Sequence, residues 1–573
     1  MPVALADDVR EPIDAAISDL QAGARTWVNL TLGQRVTLFQ SLRRSVTAQA
    51  RRWAHAASES KGLPEGHPLR GEEWLSGPYG MLGAIDAYIE TLSRLATGRT
   101  PLDGLHIDSA PGDRTRVHAF PLTGIDKFLL SGFTGEVWLQ PRISAGTARA
   151  RAGLAQRTPT VSGGVGLVLG AGNVTSIPLL DVLYELLAHN RVSLLKVNPT
   201  QDRLVPVYEK ILAPLIEPGF LRVVRGGADV GGYLTQHSDF SHVHITGSAA
   251  TFDAITWGTG DEATQRREEN RPKLEIPITA ELGGVSPIIV VPGEWSDEDL
   301  RFQAEHIVTM RLQNSGHNCI AGQVVLVSSD WPQLAQFKRA LRRAYALAPE
   351  RPVWYPHADD RMSAASDDYP DALVLADRLL VEIGPDDDPT DLQQTEYFAP
   401  VLGIVELAGL GQQFLDAAVA HANDNLQGTL GANLLIDPRT QASLGEGFER
   451  SVAALRYGAI AINAWTGFTF ITPTMSWGAF PGSTIDDVGS GIGVVHNALL
   501  IENVERSVVR GPFRPMPRAL GFWRDGGRFT ILPKPPWFVS ACTGAQVSEG
   551  LTRFRARGGI LALIRTLLQA LRA

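Results

Sequence analysis

Short apolar runs alternate with helical stretches from residue 165 onward, and this alternation constrains the fold more than any other feature. The first four runs, at residues 165–169, 193–197, 221–225 and 241–245, are separated by segments that read as turns and helices. Strands that alternate with helices form a parallel, doubly wound sheet. Such a sheet binds ligands at the carboxyl ends of its strands.

The alternation resumes after about residue 285. Apolar strands are predicted at 288–291, 401–407, 431–436 and 458–463, with helices between them. The sequence therefore predicts a second α/β domain, and its 573 residues are ample for large buried cores.

Composition and charge exclude several classes of protein. A net charge of −9 argues against a general nucleic-acid binder, whose affinity depends on neutralising phosphates. Two cysteines cannot form a disulfide framework and suit a reducing compartment. No apolar signal segment follows the acidic N-terminus, so we expect a cytoplasmic protein.

Cys319 is one of the two cysteines and lies in a polar loop, residues 313–322, before an apolar run that reads as a strand. A thiol attacks only as a thiolate, so its reactivity depends on how its surroundings change a free pKa of about 8.5. A cysteine among small polar residues at such a junction is accessible to a substrate. Alternatively, a lone cysteine is a small core residue.

Motifs elsewhere in the chain favour the reactive cysteine. The motifs are Gly172-Asn173, Lys196 at a strand end, Thr246-Gly247-Ser248, Glu281-Leu282-Gly283-Gly284, the loop around Cys319, and Glu396-Tyr397-Phe398. Their order and spacing resemble the aldehyde dehydrogenase superfamily over roughly residues 20–510.

The resemblance implies a fold of two Rossmann-like, doubly wound domains with a β-hairpin used for oligomerisation. We expect a cofactor-binding domain over residues 1–285, with the hairpin near 136–162, and a catalytic domain over 286–484. A return strand within 485–510 completes the assembly surface. Family members are usually homodimers or homotetramers, and they bind NAD or NADP and a small aldehyde.

The resemblance also assigns roles to individual residues. A cysteine thiolate forms a thiohemiacetal, hydride leaves for the nicotinamide, and activated water hydrolyses the remaining thioester. Cys319 is then the nucleophile, Glu281 the base, and Asn173 with the Cys319 backbone N–H the donors to the oxyanion. The implied cofactor-binding residues are Lys196, Thr246, Gly247, Ser248, Leu282, Glu396 and Phe398.

Three departures from the family pattern concern the cofactor and the thiol. Phe252 stands where the cofactor turn often has a further glycine, and we expect it to crowd the pyrophosphate seat. Pro199 lies near the family's ribose-binding glutamate, and without that carboxylate NADP is at least as compatible as NAD. His317 replaces a frequent glutamine; a protonated imidazole there would favour the thiolate, although a structural role is equally open.

Two other functions stay open. A CoA-acylating dehydrogenase or acyl reductase resolves the thioester differently, but such members generally lack the glutamate base. A non-catalytic binding protein on the same fold is favoured by Phe252, whereas the complete set of Cys319, Glu281 and Asn173 favours an enzyme. The aldehyde cannot be read from the sequence, because the aromatic segment 464–480 suits either a bulky apolar substrate or a core.

The C-terminal residues 511–573 lie outside the common pattern. Prolines predict an extended linker over 511–540, and residues 551–573 read as a helix with an apolar stripe whose only charges are arginines. A basic amphipathic helix can lie weakly on an anionic membrane surface, or it can pack on its own domain or a partner subunit. His242 and His244 share one face of a strand, but without further ligands we predict no metal site.

Overall fold

The structure is a computed structural model that describes residues 5–375, 377–384, 387–515, 530 and 533–572. Two large β-sheets and their helices form the body of the protein, so the predicted α/β class is confirmed.

Helices at the start of the chain pack into the core of the first sheet. A capping box between Thr31 and Gln34 starts the second helix, which buries Phe39, Leu42 and Trp53 at helical spacing. The helices are α1 (Asp7–Trp27), α2 (Leu32–Ser60), α3 (Gly71–Trp74) and α4 (Gly80–Ala96), with a 3₁₀ turn at Pro68–Arg70 and a π-helical turn at Leu75–Tyr79.

An antiparallel unit follows, and it corrects the expected position of the hairpin. Residues 136–162 do not form a hairpin: only their first residues are in a strand, because Ser144 accepts a hydrogen bond from the Thr147 N–H and caps a helix. The tight hairpin lies earlier, with its turn at Gly112 and Asp113, whose φ angles are 78° and 58°. The elements are β1 (Ile107–Ala110), β2 (Arg114–Phe120), α5 (Gly124–Leu129), β3 (Thr134–Leu139), α6 (Ala145–Arg151) and a 3₁₀ turn at Leu154–Arg157.

The next segment confirms the predicted alternation of strands and helices. Its elements are β4 (Val165–Leu169), α7 (Ile177–Ala188), β5 (Val192–Lys196), a 3₁₀ turn at Pro199–Leu204, α8 (Val205–Ile216), β6 (Leu221–Val224), α9 (Ala228–Thr235), β7 (His242–Gly247), α10 (Ala249–Thr256), α11 (Gly260–Glu268) and β8 (Ile278–Leu282). The polar segment 257–275 contains α11, which buries none of its residues.

The alternation then continues to residue 510. The elements are β9 (Ser286–Val290), α12 (Asp297–Leu312), a 3₁₀ turn at Gln313–Gly316, β10 (Gly322–Ser328), α13 (Leu334–Leu347), α14 (Ala358–Asp368), β11 (Leu373–Leu375), β12 (Arg378–Glu382), α15 (Thr390–Gln394), β13 (Val401–Leu407), α16 (Gly411–Asn425), β14 (Gly431–Leu435), α17 (Pro438–Leu444), α18 (Glu446–Ala454), β15 (Ala459–Ile462), α19 (Thr466–Ile471), β16 (Ser476–Gly478), β17 (Gly491–Ile492), β18 (Val494–Asn497) and β19 (Val504–Arg510).

The chain crosses from the first sheet to the second beside the predicted site. The first sheet has the order β17-β8-β7-β4-β5-β6, and the second has the order β1-β2-β3-β19-β15-β14-β9-β10-β13-β12-β11. The chain leaves the first sheet at Leu282 and enters the second at Ser286, which pairs with Gly322 of β10. Glu281 and Cys319 are therefore brought to the same junction.

The boundary between the two sheets is not a single point at residue 285, because segments on each side of it join the other sheet. Residues 107–139 supply three strands to the second sheet, although we expected residues 1–285 to form one cofactor domain. Residues 491–492 return to the first sheet as β17, antiparallel to β8.

The C-terminal region packs on the helices at the start of the chain. Helices α20 (Gly544–Arg557) and α21 (Ile560–Ala570) form a hairpin so close that a Cβ on Gly550 would lie 2.2 Å from Thr566 Oγ1. Of the predicted linker over 511–540, residues 516–529, 531 and 532 lie outside the described residues, whereas Phe513 and Phe538 on either side are buried. Among the described residues, no helix combines the length and apolar character needed to cross a membrane.

Candidate active site

The loop that carries Cys319 is fixed by side-chain amides and unusual backbone angles. Asn314 and Ser315 have φ angles of 54° and 58°, which reverse the chain after α12. The Asn314 amide donates hydrogen bonds to the carbonyl oxygens of Asn173 and His317, at 3.1 and 3.0 Å. These bonds tie the cysteine loop to the turn that follows β4.

The three residues with predicted catalytic roles meet in this junction. Cys319, Glu281 and Asn173 all line one cavity of about 560 Å³, which we call the polar cleft. The Asn173 amide donates to the His317 carbonyl oxygen at 3.0 Å, which orients it beside the cysteine loop. Glu281 is buried at the end of β8, and it lies close enough to the Cys319 thiol for each group to shift the pKa of the other. Its Oε1 atom is buried without a hydrogen-bond partner.

Burial controls the protonation of this pair. It raises the pKa of Glu281 from 4.5 to about 7, and the negative charge of Asp181 acts in the same direction. It also raises the pKa of the Cys319 thiol well above its usual value, and the nearby Glu281 adds to the effect. The thiol is therefore protonated at neutral pH, and a carboxylate that titrates near neutrality lies next to it.

His317 is a structural residue. Burial lowers its pKa to about 3, so the imidazole is neutral, and of the two roles that the sequence left open the structural one is favoured. Its Nδ1 atom lies 2.6 Å from the Phe398 carbonyl oxygen, and its Nε2 atom accepts from the Tyr355 N–H at 3.4 Å. Because the carbonyl can only accept, the proton of the neutral ring is on Nδ1.

A buried ionic cluster near Glu281 was not apparent from the sequence. Asp181 on α7 contacts His496 Nε2 at 3.0 Å, accepts from the Thr246 hydroxyl at 3.0 Å, and lies 3.6 Å from His244 Nε2. The charge of Asp181 raises the pKa of Glu281 and that of His244 lowers it. The cluster joins residues far apart in sequence, and no local pattern signals it.

The two histidines of β7, His242 and His244, contact different carboxylates. His244 faces Asp181, whereas His242 Nδ1 lies 3.5 Å from Glu185. In the described part of the chain, ligand atoms with metal-like spacing occur at His106, Asp108 and His118. There Arg116 already holds both oxygens of Asp108, each at 2.7 Å.

The carboxyl ends of the first sheet's strands provide the other end of the polar cleft. Lys196 ends β5 and lines the cleft, and burial lowers the pKa of its amine. Thr246, Gly247 and Ser248 also line it. The Ser248 hydroxyl accepts from the Thr251 N–H at 3.2 Å and so starts α10 at the cleft.

Phe252 does not crowd this helix start. Its side chain is fully buried in the core of the first sheet, so the expected obstruction of the pyrophosphate seat is wrong. Ser248 caps α10, and the fourth residue after a cap faces back toward the protein. This geometry turns Phe252 away from the cleft.

Glu396 and Phe398 line the same cleft as Cys319 and Glu281, whereas the Leu282 side chain does not. Leu282 is buried in the core, and its N–H donates to the Ser490 carbonyl oxygen at 2.8 Å. The Glu396 carboxyl packs on Gly283, where a Cβ would lie 2.0 Å from Oε1. Burial raises the pKa of Glu396 to about 8, and its Oε1 atom has no hydrogen-bond partner.

The cleft fits a dinucleotide. Its small residues at the ends of β4 and β7 allow close approach, and Lys196 supplies a positive charge. The unpartnered oxygen of Glu396 is an acceptor for hydroxyl groups at the end of the cleft next to Cys319.

A second cavity also has Cys319 in its wall. We call it the apolar pocket, and large apolar and aromatic side chains form most of its wall. They are Leu75, Val174, Ile177, Ile320, Trp465, Phe468, Phe470, Ile471, Trp477 and Trp537. The aromatic segment 464–480, for which the sequence left two interpretations open, therefore lines this pocket. Trp537, from the C-terminal region, was not predicted.

Comparisons with known proteins agree with this geometry. The profile of the aldehyde dehydrogenase family matches residues 174–349. The chain is 23% identical over 302 residues to D-glyceraldehyde dehydrogenase (NADP(+)) of Thermoplasma acidophilum, covering 48% of this chain and 56% of that protein. It is 32% identical over 130 residues to 4-trimethylaminobutyraldehyde dehydrogenase of Homo sapiens, covering 22% of this chain and 23% of that protein.

The fold is shared over a larger part of the chain. The crystal structure of indole-3-acetaldehyde dehydrogenase in complex with NAD+ aligns with a TM-score of 0.58 and 17% identity, covering 88% of each chain. The curated relatives are matched over about half of their length or less, 56% and 23% in the two cases given. Residues 174–349 therefore resemble the aldehyde dehydrogenase family in sequence, and the chain shares the fold of the solved aldehyde dehydrogenases.

Proposed function

We propose that the protein oxidises an aldehyde to a carboxylic acid with NAD+ or NADP+, using Cys319 as nucleophile and Glu281 as base. The observation that carries the proposal is the position of Cys319 between the polar cleft and the apolar pocket, with Glu281 in contact with its thiol. An aldehyde in the pocket and a dinucleotide in the cleft would then meet at the same sulfur.

The first step is attack of Cys319 on the aldehyde carbon. Glu281 is next to the thiol and titrates near pH 7, so it can take the thiol proton as the S–C bond forms. The resulting oxyanion needs donors, and the Asn173 amide and the Cys319 backbone N–H are the available groups. One such donor typically contributes about 3 to 4 kcal/mol.

A nicotinamide bound in the cleft would accept hydride from the thiohemiacetal, which leaves a thioester on Cys319. Glu281 must then return the thiol proton to solvent, so that its unpartnered Oε1 can accept a proton from the water that attacks the thioester. As the C–S bond breaks, the sulfur takes that proton, which restores the Cys319 thiol and releases the carboxylic acid. Lys196, Ser248 and Glu396 are the residues that would hold the dinucleotide, since they line the cleft and present charge or hydrogen-bonding groups.

Both nicotinamide cofactors suit the cleft. Asn198, which also lines it, accepts a hydrogen bond from the Thr200 N–H at 3.1 Å, and Pro199 supplies no carboxylate. No carboxylate of this turn lines the cleft to oppose a 2′-phosphate, since Asp202 lies outside its wall. One relative is named for NADP, and one similar structure contains NAD+.

The two alternatives, a CoA-acylating dehydrogenase and a non-catalytic binding protein, are less well supported. The presence of Glu281 in contact with Cys319 supports hydrolysis over transfer to CoA. The main motive for a non-catalytic protein was Phe252, and that side chain lies in the core.

The experiment is a screen of NAD+ and NADP+ against straight-chain aldehydes of increasing length, without CoA. We expect reduced cofactor and an equal amount of carboxylic acid. A requirement for CoA would reject the hydrolytic assignment. If calorimetry detected no binding of either cofactor, the proposal that the protein is an NAD(P)-dependent enzyme would be rejected.

We also infer a homodimer or homotetramer, as the resemblance implies. Sedimentation velocity of the whole chain tests this assembly, and a monomer at all concentrations would refute it. The cytoplasmic location stays a prediction.

A further inference from the structure

Two neighbouring segments expose an unusual number of large apolar side chains. Helix α5 and the residues before it contribute three, and α21 with its C-terminal end contributes five; their side chains are 38–73% exposed. Leu129 of α5 and Leu563 of α21 belong to one buried cluster, and Asp126 of α5 lies 3.9 Å from Arg555 of α20, so α5 lies close to the C-terminal hairpin. We call these two segments the α5–α21 surface, and its exposed apolar residues are Leu122, Ile125, Phe128, Ile560, Leu561, Ile564, Leu568 and Leu571. A large exposed apolar patch usually marks an interaction site.

The surface is held in place by buried contacts on its inner side. The Arg555 guanidinium lies 4.3 Å from the centre of the Tyr79 ring, and its Nη2 donates to the Tyr79 hydroxyl at 3.1 Å. Arg43 Nη2 donates to the Arg555 carbonyl oxygen at 2.7 Å and so caps α20. The inner face of the C-terminal hairpin therefore packs on its own domain, while the outer face of α21 stays exposed.

The charges around the surface are mostly positive. Lys127, Arg553, Arg557, Arg565 and Arg572 are exposed there, although the chain as a whole has a net charge of −9. The nearby acidic groups face arginines: Glu549 pairs with Arg553 at 2.5 Å, and Asp126 lies 3.9 Å from Arg555. Helix α21 itself contains no acidic residue.

We propose that the α5–α21 surface docks onto an anionic lipid bilayer, with its apolar side chains at the boundary between headgroups and acyl chains. Exposed apolar residues flanked by arginines match the chemistry of such a boundary. A second copy of the chain against the same surface would instead bring like charges together. Helix α21 has 11 residues, so at about 1.5 Å per residue it lies along the bilayer instead of crossing it.

The docked surface lies near the apolar pocket. Leu75 and Trp537 line the pocket that includes Cys319; Leu75 belongs to the buried cluster beneath α5 and α21, and Trp537 packs against it. If the proposed oxidation holds, on which this step alone rests, docking would bring the pocket close to apolar aldehydes dissolved in the bilayer.

The test is co-sedimentation of the full chain with phosphatidylcholine vesicles, with and without phosphatidylserine. We expect binding to the vesicles that contain phosphatidylserine, weakened by salt. Replacing Arg565 and Arg572 by glutamine should weaken it about 25-fold, since each basic residue near the surface contributes roughly fivefold.

A second variant tests the apolar contribution. Leu561→Gln with Leu568→Gln should weaken vesicle binding at least as strongly, whereas the matched control, Leu347→Gln with Leu410→Gln, should leave it unchanged. Leu347 and Leu410 are 71% and 48% exposed on another part of the molecule.

Three results would overturn the proposal: no sedimentation with either vesicle, equal loss in the control variant, or self-association without lipid that the Leu561/Leu568 variant abolishes. Oxidation of a short, soluble aldehyde is measured in parallel. If the protein bound vesicles but oxidised no aldehyde, the docking proposal would be supported and the proposed function would be rejected.

Discussion

Replacing Glu281 by glutamine should change how the stability of the protein depends on pH. The carboxyl group is buried at the end of β8, and it keeps nearly the same shape when its oxygen is replaced by an amide. The substitution therefore removes a titrating group from the site with little change in packing.

The magnitude follows from the pKa. Burial raises it from 4.5 to about 7, so the folded protein binds this proton more tightly than the unfolded chain does. The stability contributed by the group is fully present below pH 4.5 and is lost as the pH rises through about 7. This difference corresponds to about 3 kcal/mol, at roughly 1.36 kcal/mol for each pH unit. The variant should therefore gain about 3 kcal/mol relative to the wild type across this range.

The assay is urea unfolding followed by tryptophan fluorescence, at several pH values from about 5 to about 8. Glu294→Gln is the matched control, because its side chain is 94% exposed. We expect the difference between wild type and the Glu281 variant to grow with pH, and the control to show no such trend. A difference that stays constant with pH, or that changes in the opposite direction, would refute the account of the buried carboxyl.

Three further predictions concern the cleft and the pocket. Gly283→Ala should raise the dissociation constant of the cofactor about tenfold, measured by calorimetry. The new methyl group would displace the Glu396 carboxyl, which would then lose its hydrogen bond to the cofactor. An unchanged dissociation constant would contradict this. His317→Gln should lower kcat but leave the acid limb of the pH–rate profile near pH 7. The His317 imidazole has a pKa of about 3 and is already neutral at that pH. A shift of the acid limb in the variant would show that His317 titrates during the catalytic cycle. Phe468→Ala should reduce kcat/KM for long-chain aldehydes about tenfold relative to short ones, through lost apolar contact in the pocket; an equal loss for both would point to a general defect.

The parts of the fold that depend on local pattern could be predicted from the sequence. The apolar strands from Val165 onward are short and are separated by turns and helices, so their parallel pairing follows from general rules. The order of motifs around Asn173, Glu281 and Cys319 likewise predicted which residues would meet. The structure brings them to one junction because the chain crosses between the sheets just after Glu281.

Other features depend on side-chain direction or on contacts between distant residues. The position of Phe252 could have been read from the Ser248 cap, because an apolar residue at that spacing packs inward. The pairing of Asp181 with His496 joins positions 315 residues apart, and no local signal predicts it. Trp537 reaches the pocket from a region whose packing the proline-rich sequence does not indicate.

The central claim is that Cys319 carries the substrate as a thioester. The most direct test is intact mass spectrometry of the wild-type protein, quenched with acid during turnover with cofactor and aldehyde, followed by peptide mapping, with Cys319→Ala and Cys542→Ala variants alongside. We expect an adduct with the mass of the aldehyde less two hydrogens on Cys319, retained in the Cys542 variant and absent from the Cys319 variant. A burst of reduced cofactor from the Cys319→Ala protein, or an adduct on Cys542, would contradict the account.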